Sequence, residues 1–241
     1  MAAADDLYEN PPILAEPSPI IPAATVVLAR DAATGVEILL VRRVGRGAFG
    51  GFSVFPGGRV DPEDVDPSAP DDDFAAARKA AVREAAEEVN LQINEHELVA
   101  LSHWTPPPFE MKRFGTWFFV APTVAGDIAM SEGELTQYDW ITPTEALAKH
   151  AVGEFTMAPP TWITLQDLKG FTSVENMLSA LQQREAFRFL TWPIQRKPLV
   201  LSWANDVHHM TGIEEIDLEA PGGRHRLHMN EDGWIYEKAG W

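Results

Sequence analysis

Apolar and β-branched residues run together at 23–29 and again at 36–41, parted by Asp31-Ala32-Ala33-Thr34-Gly35. Two such runs around turn residues predict a β-hairpin, which delivers Arg42 and Arg43 at its exit. A loose loop with glycines at 45, 47, 50 and 51 leads to 52–55. Residues 60–73 are polar, rich in proline and aspartate, and predict a loop. At 74–89 the pattern becomes alanine-rich without a breaker, which predicts a helix. Asp71–Asp73 supply its cap, and Asn90, tolerant of positive φ, is its expected stop. Further strands are predicted at 98–104, 114–121 and 138–141. Thr142-Pro143-Thr144-Glu145 and Pro159-Pro160-Thr161 open two more helices, the second to about 168. Val174, Met177, Leu178, Leu181 and Phe187 recur at helical spacing and predict a helix from 173 to about 189. Beyond Trp192-Pro193, short strands are expected at 199–203, 213–218, 224–229 and 234–236. The division expected is a proline-rich arm (1–21), a main domain (22–170) and a C-terminal extension (171–241), with a soft boundary near 190–197.

Composition narrows the partners. The 241 residues are 45% hydrophobic, enough for a sizeable core. The net charge of −17 argues against nucleic acid and anionic membrane, since phosphate is met by Lys and Arg, and it favours cations. With no cysteine there is no disulfide, thiolate metal site or thiol nucleophile. The first residues are acidic rather than signal-like, and no run reaches the ~18 apolar residues of a spanning helix. The expectation is a soluble cytoplasmic protein.

The chemistry concentrates between Phe55 and Leu91. On a helix, Glu84, Glu87 and Glu88 stand at i, i+3 and i+4, so their carboxylates share one face and repel. A divalent cation removes that cost, and hard oxygen ligands suit Mg²⁺ or Mn²⁺. Arg83, four residues before Glu87, can fix its rotamer. Gly57-Gly58 lets backbone approach a metal or phosphate closely. The plain alternative is a solvated acidic face, common on Ala/Glu helices.

Phe55-Pro56-Gly57-Gly58 followed by Arg83-Glu84-x-x-Glu87-Glu88 and Leu91 resembles the Nudix hydrolase signature, G-x5-E-x7-R-E-U-x-E-E-x-G-U. Asp64 takes the place of the first Glu when counted from Gly58, and Glu63 does when counted from Gly57. About eleven residues are inserted before Arg83, Asn90 replaces a glycine, and Ala85 fills an aliphatic place. The resemblance covers roughly 22–150. It implies an α/β fold, a Nudix-type α/β/α sandwich around a mixed β-sheet, here with a C-terminal helical and β extension. It implies hydrolysis of a nucleoside diphosphate linked to another moiety, with Glu84, Glu87 and Glu88 as metal ligands and Gly57, Gly58 and Arg83 supporting them. Glu87 or Glu88 is a candidate general base. So is Glu132 or Glu134, from a region that supplies a further acid in some relatives.

Arg42, Arg43, Arg46, Phe55 and Arg113 are candidate substrate contacts, set against the alternatives of solvated strand ends and core. Trp117 and Phe119 read as core. The run Arg113-Phe114-Gly115-Thr116-Trp117-Phe118-Phe119 and the later Pro159-Pro160-Thr161 are similar to a longer, coenzyme A diphosphatase-like branch with an insertion in its box. The leading substrate is therefore coenzyme A or acyl-coenzyme A. The alternatives are ADP-ribose or a nucleotide sugar, and a non-catalytic nucleotide sensor. His208, His209, His225 and His228 fit no closed zinc pattern and are expected at the surface or in turns. The extension is expected to cover the active site or to build a homodimer interface.

Overall fold

The computed structural model describes residues 17–45, 50–123, 127–131, 133–211 and 216–240. Most of the arm, Arg46, Glu132 and 213–215 of one expected strand lie outside the described residues. The chain divides into two compact units. One takes 22–103 and 116–187; the other takes 104–115, 188–240 and the described part of the arm.

In the first unit, β1 (Ile20–Ala32) and β2 (Gly35–Arg43) form the antiparallel hairpin, with Ala32 opposite Gly35. Both strands outrun their apolar cores because Arg30 and Glu37 face each other across the ladder and bond at 2.7 Å. β3 (Ser53–Val54) pairs with the end of β2, and β4 (Gly57–Arg59) pairs with the start of β1. β5 (Val99–Thr105) and β6 (Arg113–Pro122) extend the order to β3-β2-β1-β6-β5. β7 (Leu135–Ile141) pairs with β2 and is longer than expected, since polar Gln137 pairs with Arg42 and, past a register shift, Leu135 pairs with Arg43.

Side chains alternate across this sheet. Ala24, Val26 and Leu28 pack with Ala77, Ala80, Ala81, Ala85 and Val89 of α1 (Asp73–Val89). The alanines let helix backbone lie close to the strands. Val27, Ala29, Ile38 and Leu40 point the other way and are also fully buried, so both faces are covered. α2 (Pro143–Ala151) packs against β2 and against α3 (Pro159–Leu168). The Thr142–Glu145 capping box starts α2 where the Pro143 signal placed it. This is the mixed α/β fold that the sequence implied.

Two expectations fail. The helix expected to reach 189 stops early, as α4 (Val174–Gln182), and Phe187 opens β8 (Phe187–Leu190). Met177 and Leu181 keep the helical stripe, but Phe189 is buried between exposed Arg188 and Leu190, which is strand alternation. In the second unit Pro193 sits within β9 (Trp192–Arg196). There the order is β12-β11-β10-β9, from β10 (Leu199–Ser202), β11 (Arg224–Asn230) and β12 (Gly233–Ala239). β9 lies at an end of that path, where a missing N–H is tolerated. Residues 216–218, the described part of an expected strand, are irregular.

The core of the second unit joins Trp104, Phe189, Trp203 and His225. Asp206 and Arg226 form a buried pair at 2.6 Å. His225 corrects the surface assignment. It is fully buried, its ring nitrogens meet the Ala204 carbonyl and the Tyr236 hydroxyl, and burial pushes it down to about 4, so it is neutral. Among the described residues no helix is long and apolar enough to cross a membrane.

Candidate active site on the glutamate helix

Local sequence sets α1 in place. Asp72 caps it by accepting the Ala75 N–H at 3.0 Å, and Asn90 ends it in the left-handed region at φ 58°. The last two turns therefore present Arg83, Glu84, Glu87 and Glu88 at fixed phases. The Phe55–Gly58 turn is held against β1. Thr25 Oγ1 donates to the Pro56 carbonyl at 2.6 Å, and the Val26 N–H donates to the same oxygen at 2.9 Å.

Helix and turn meet at the two glycines. A Cβ on Gly58 would lie 2.1 Å from Glu84 Oε1, and one on Gly57 would lie 2.4 Å from the Ala24 carbonyl oxygen. At Gly57 the obstacle is backbone, so only glycine fits there, while at Gly58 a side chain would displace the Glu84 carboxylate. Glu88 is 2% exposed, and both its oxygens are engaged. Oε2 accepts the Gly57 N–H at 2.9 Å, and Oε1 accepts Arg43 Nη2 at 2.9 Å. The same Nη2 donates to the Gly57 carbonyl. Glu84 is largely covered, whereas the Glu87 side chain is 58% exposed on the solvent side.

Arg83 joins the acids. It donates to Glu84 Oε1 at 3.0 Å and to Glu87 Oε2 at 2.9 Å, the latter being the i, i+4 contact that the spacing anticipated. It also reaches both oxygens of Asp64 and the Arg59 carbonyl. The structure thereby selects between the two registers of the motif: Asp64 is buried on Arg83, while Glu63 is exposed. Asp64 also closes its own turn, accepting the Asp61 N–H at 2.9 Å. The inserted residues leave the chain after that turn and rejoin it at the cap of α1.

The electrostatics follow from burial and crowding. Burial pushes Glu88 up to about 7, with Glu84 and Glu134 adding to the rise and Arg43 and the Gly57 N–H opposing it. Glu84 is raised chiefly by burial, and Arg83 opposes. Arg83 is held firmly protonated, first by its bond to Asp64. Clustered carboxylates with raised affinity for positive charge take up a proton or a cation.

The remaining candidates divide. Glu134 is exposed, with Ser131 Oγ 3.4 Å from its carboxylate, and its charge is felt by Glu88. Arg42 and Arg43 alternate across β2, so only Arg43 reaches the glutamates. Arg42 donates to the Glu154 carbonyl at 3.2 Å and lies over Phe155. The Phe55 ring is 3% exposed and meets Phe118 edge-on, which makes it core. Arg113 is 7% exposed in the second unit, and its guanidinium donates to the carbonyls of Pro106 and Ser18. Trp117 and Phe119 are buried, as expected. The pairing of Arg43 with Glu88 was not visible in the sequence, because 45 residues separate them and no local spacing reports it.

Among the described residues no three acids or histidines converge as a ready-made metal cage; the acids here are turned toward Arg43 and Arg83. The donor set nonetheless suits a hard divalent cation. It consists only of carboxylate oxygens, crowded beside a glycine backbone with no Cβ.

A family model described as NUDIX domain matches residues 19–160. The chain is similar to the crystal structure of a NUDIX hydrolase from Alicyclobacillus acidocaldarius, at 25% identity and a TM-score of 0.61, over 70% of this chain and 99% of that one. It is also similar to a MutT NUDIX hydrolase from Burkholderia pseudomallei, at 18% identity and a TM-score of 0.48, over 63% and 100% of the respective chains.

Proposed function

The chain belongs to the Nudix family and is a hydrolase acting on pyrophosphate bonds; from that premise we propose that it cleaves a nucleoside diphosphate linked to another moiety, using Glu84, Glu87 and Glu88. The observation that carries this reading is the packing of Glu84 and Glu88 against the Gly57-Gly58 backbone.

Glu84, Glu87 and Glu88 would hold Mg²⁺ or Mn²⁺. When bound, the ion supplies Lewis-acid polarisation of the phosphate oxygens and neutralises charge on the leaving phosphate. The protein's own residues do the rest. Arg83 holds Glu84 and Glu87 in fixed rotamers, and Asp64 holds Arg83. Gly57 and Gly58 keep side-chain bulk out of the space beside the acids.

Of the candidate bases, Glu134 is the one the geometry favours. A base needs a free carboxylate oxygen within reach of an attacking water. Glu88 has both oxygens bonded to protein donors, and Glu87, whose Oε2 is bonded to Arg83, is already assigned to the metal. Glu134 is exposed beside the cluster. Its role is to take the proton from the attacking water.

Coenzyme A or acyl-coenzyme A is the first substrate to test. Its support is the insertion between Asp64 and Arg83 together with the Arg113–Phe119 and Pro159–Thr161 runs. Trp117, Phe118 and Phe119 are buried in β6, so that likeness is one of scaffold. The test is a Mg²⁺-dependent hydrolysis panel of coenzyme A, acyl-coenzyme A, ADP-ribose, NADH and dinucleoside polyphosphates, with products identified by mass. Cleavage at a diphosphate bond upholds the reading. Tight binding of one of these compounds without turnover would replace it with a sensor.

A further inference from the structure

Arg43 was a candidate phosphate contact on sequence grounds, but its surroundings point elsewhere. Three elements that are distant in the chain close on one another here: the end of β2, the Pro-Gly-Gly turn and the last turns of α1. Arg43 Nη2 donates to Glu88 Oε1 at 2.9 Å and to the Gly57 carbonyl, and the Gly57 N–H donates to Glu88 Oε2 at 2.9 Å. These three bonds form a closed ring, in which the carboxylate has one oxygen on each partner.

Resting on the functional reading above, we propose that Arg43 is a positioning residue: it fixes the carboxylate of Glu88 and the peptide of Gly57 relative to each other, and it does not bind substrate phosphate. Glu88 is 2% exposed, and Arg43 is the cation bonded to it. In the metal-free protein, turning Arg43 away would break its bonds to Glu88 Oε1 and to the Gly57 carbonyl together, opening the ring at two of its three bonds. Neighbouring Arg42 points to the opposite face, onto the Glu154 carbonyl, so it cannot take over. Arg83 already spans Asp64, Glu84 and Glu87. The two arginines thus divide the acids between them.

The test uses the full chain with Arg43→Ala and Arg43→Lys. A positioning role predicts that Arg43→Ala lowers kcat by about 100-fold while KM stays within about twofold, with Arg43→Lys recovering about a tenth of the wild-type rate. A second readout needs no turnover. In a ¹⁵N–¹H spectrum of the metal-free protein, the Gly57 amide moves upfield in both variants as its bond to Glu88 loosens. A rise in KM of about tenfold or more with kcat kept, and an unmoved Gly57 amide, would overturn the proposal in favour of a phosphate contact. If the wild-type protein cleaves no diphosphate compound, it is the functional reading that fails, and the Gly57 amide still decides the role of Arg43.

Discussion

The burial of Glu88 has a measurable consequence. Its folded value is about 7, against an ordinary 4.5. Between those values the folded protein binds a proton that the unfolded chain has released. The contribution to stability is therefore complete below about 4.5 and is lost as pH rises through about 7. In metal-free buffer the wild type should lose up to about 3 kcal/mol relative to Glu88→Gln between pH 4.5 and 7.5. Urea unfolding of both proteins at the two pH values checks this, and a constant difference would contradict it. Glu134→Gln should lower kcat by about 10²–10⁴-fold and leave Mn²⁺ binding, followed by electron paramagnetic resonance, unchanged. Asp64→Ala frees Arg83 and should cost about 2 kcal/mol of stability along with activity. Asp64→Glu should restore part of both.

At the level of elements, the helix was the most legible part, because everything that defines it is local. Asp72, the alanine run and Asn90 lie in one stretch, and the glutamate phases follow from 3.6 residues per turn. Asn90→Ala should cost about 1 kcal/mol, and Asn90→Gly almost nothing, since only the first is strained at φ 58°. Thermal unfolding separates the two. What stayed hidden in the sequence was set by distance. The end of α4 was misread because Phe187 continues a helical count while belonging to the next strand. The choice of Asp64 over Glu63 depends on an insertion whose path no spacing rule gives. Gly57 and Gly58 were legible as close approaches, but what they approach was not. Gly58→Ala should abolish turnover with little change in melting, because the atom displaced is the mobile end of Glu84. Gly57→Ala should lower stability as well, because there the obstacle is the backbone of Ala24.

At the scale of the whole molecule, one unit carries every residue of the proposed chemistry, while Arg113, a candidate contact on sequence grounds, is tied into the other. That other unit has a core of its own, built on aromatic rings and the buried Asp206–Arg226 pair. A charge of −17 fits a protein that draws a divalent cation to a small anionic substrate rather than one that grips a polyanion. The proposed role of the glutamate helix is diphosphate hydrolysis. It is tested most directly by measuring Mg²⁺-dependent cleavage of the best panel compound by the wild type and by Glu88→Gln, with both proteins shown to be folded. The expected result is cleavage at the diphosphate by the wild type and a loss of about 100-fold or more in the variant. Equal rates in the two proteins would contradict it.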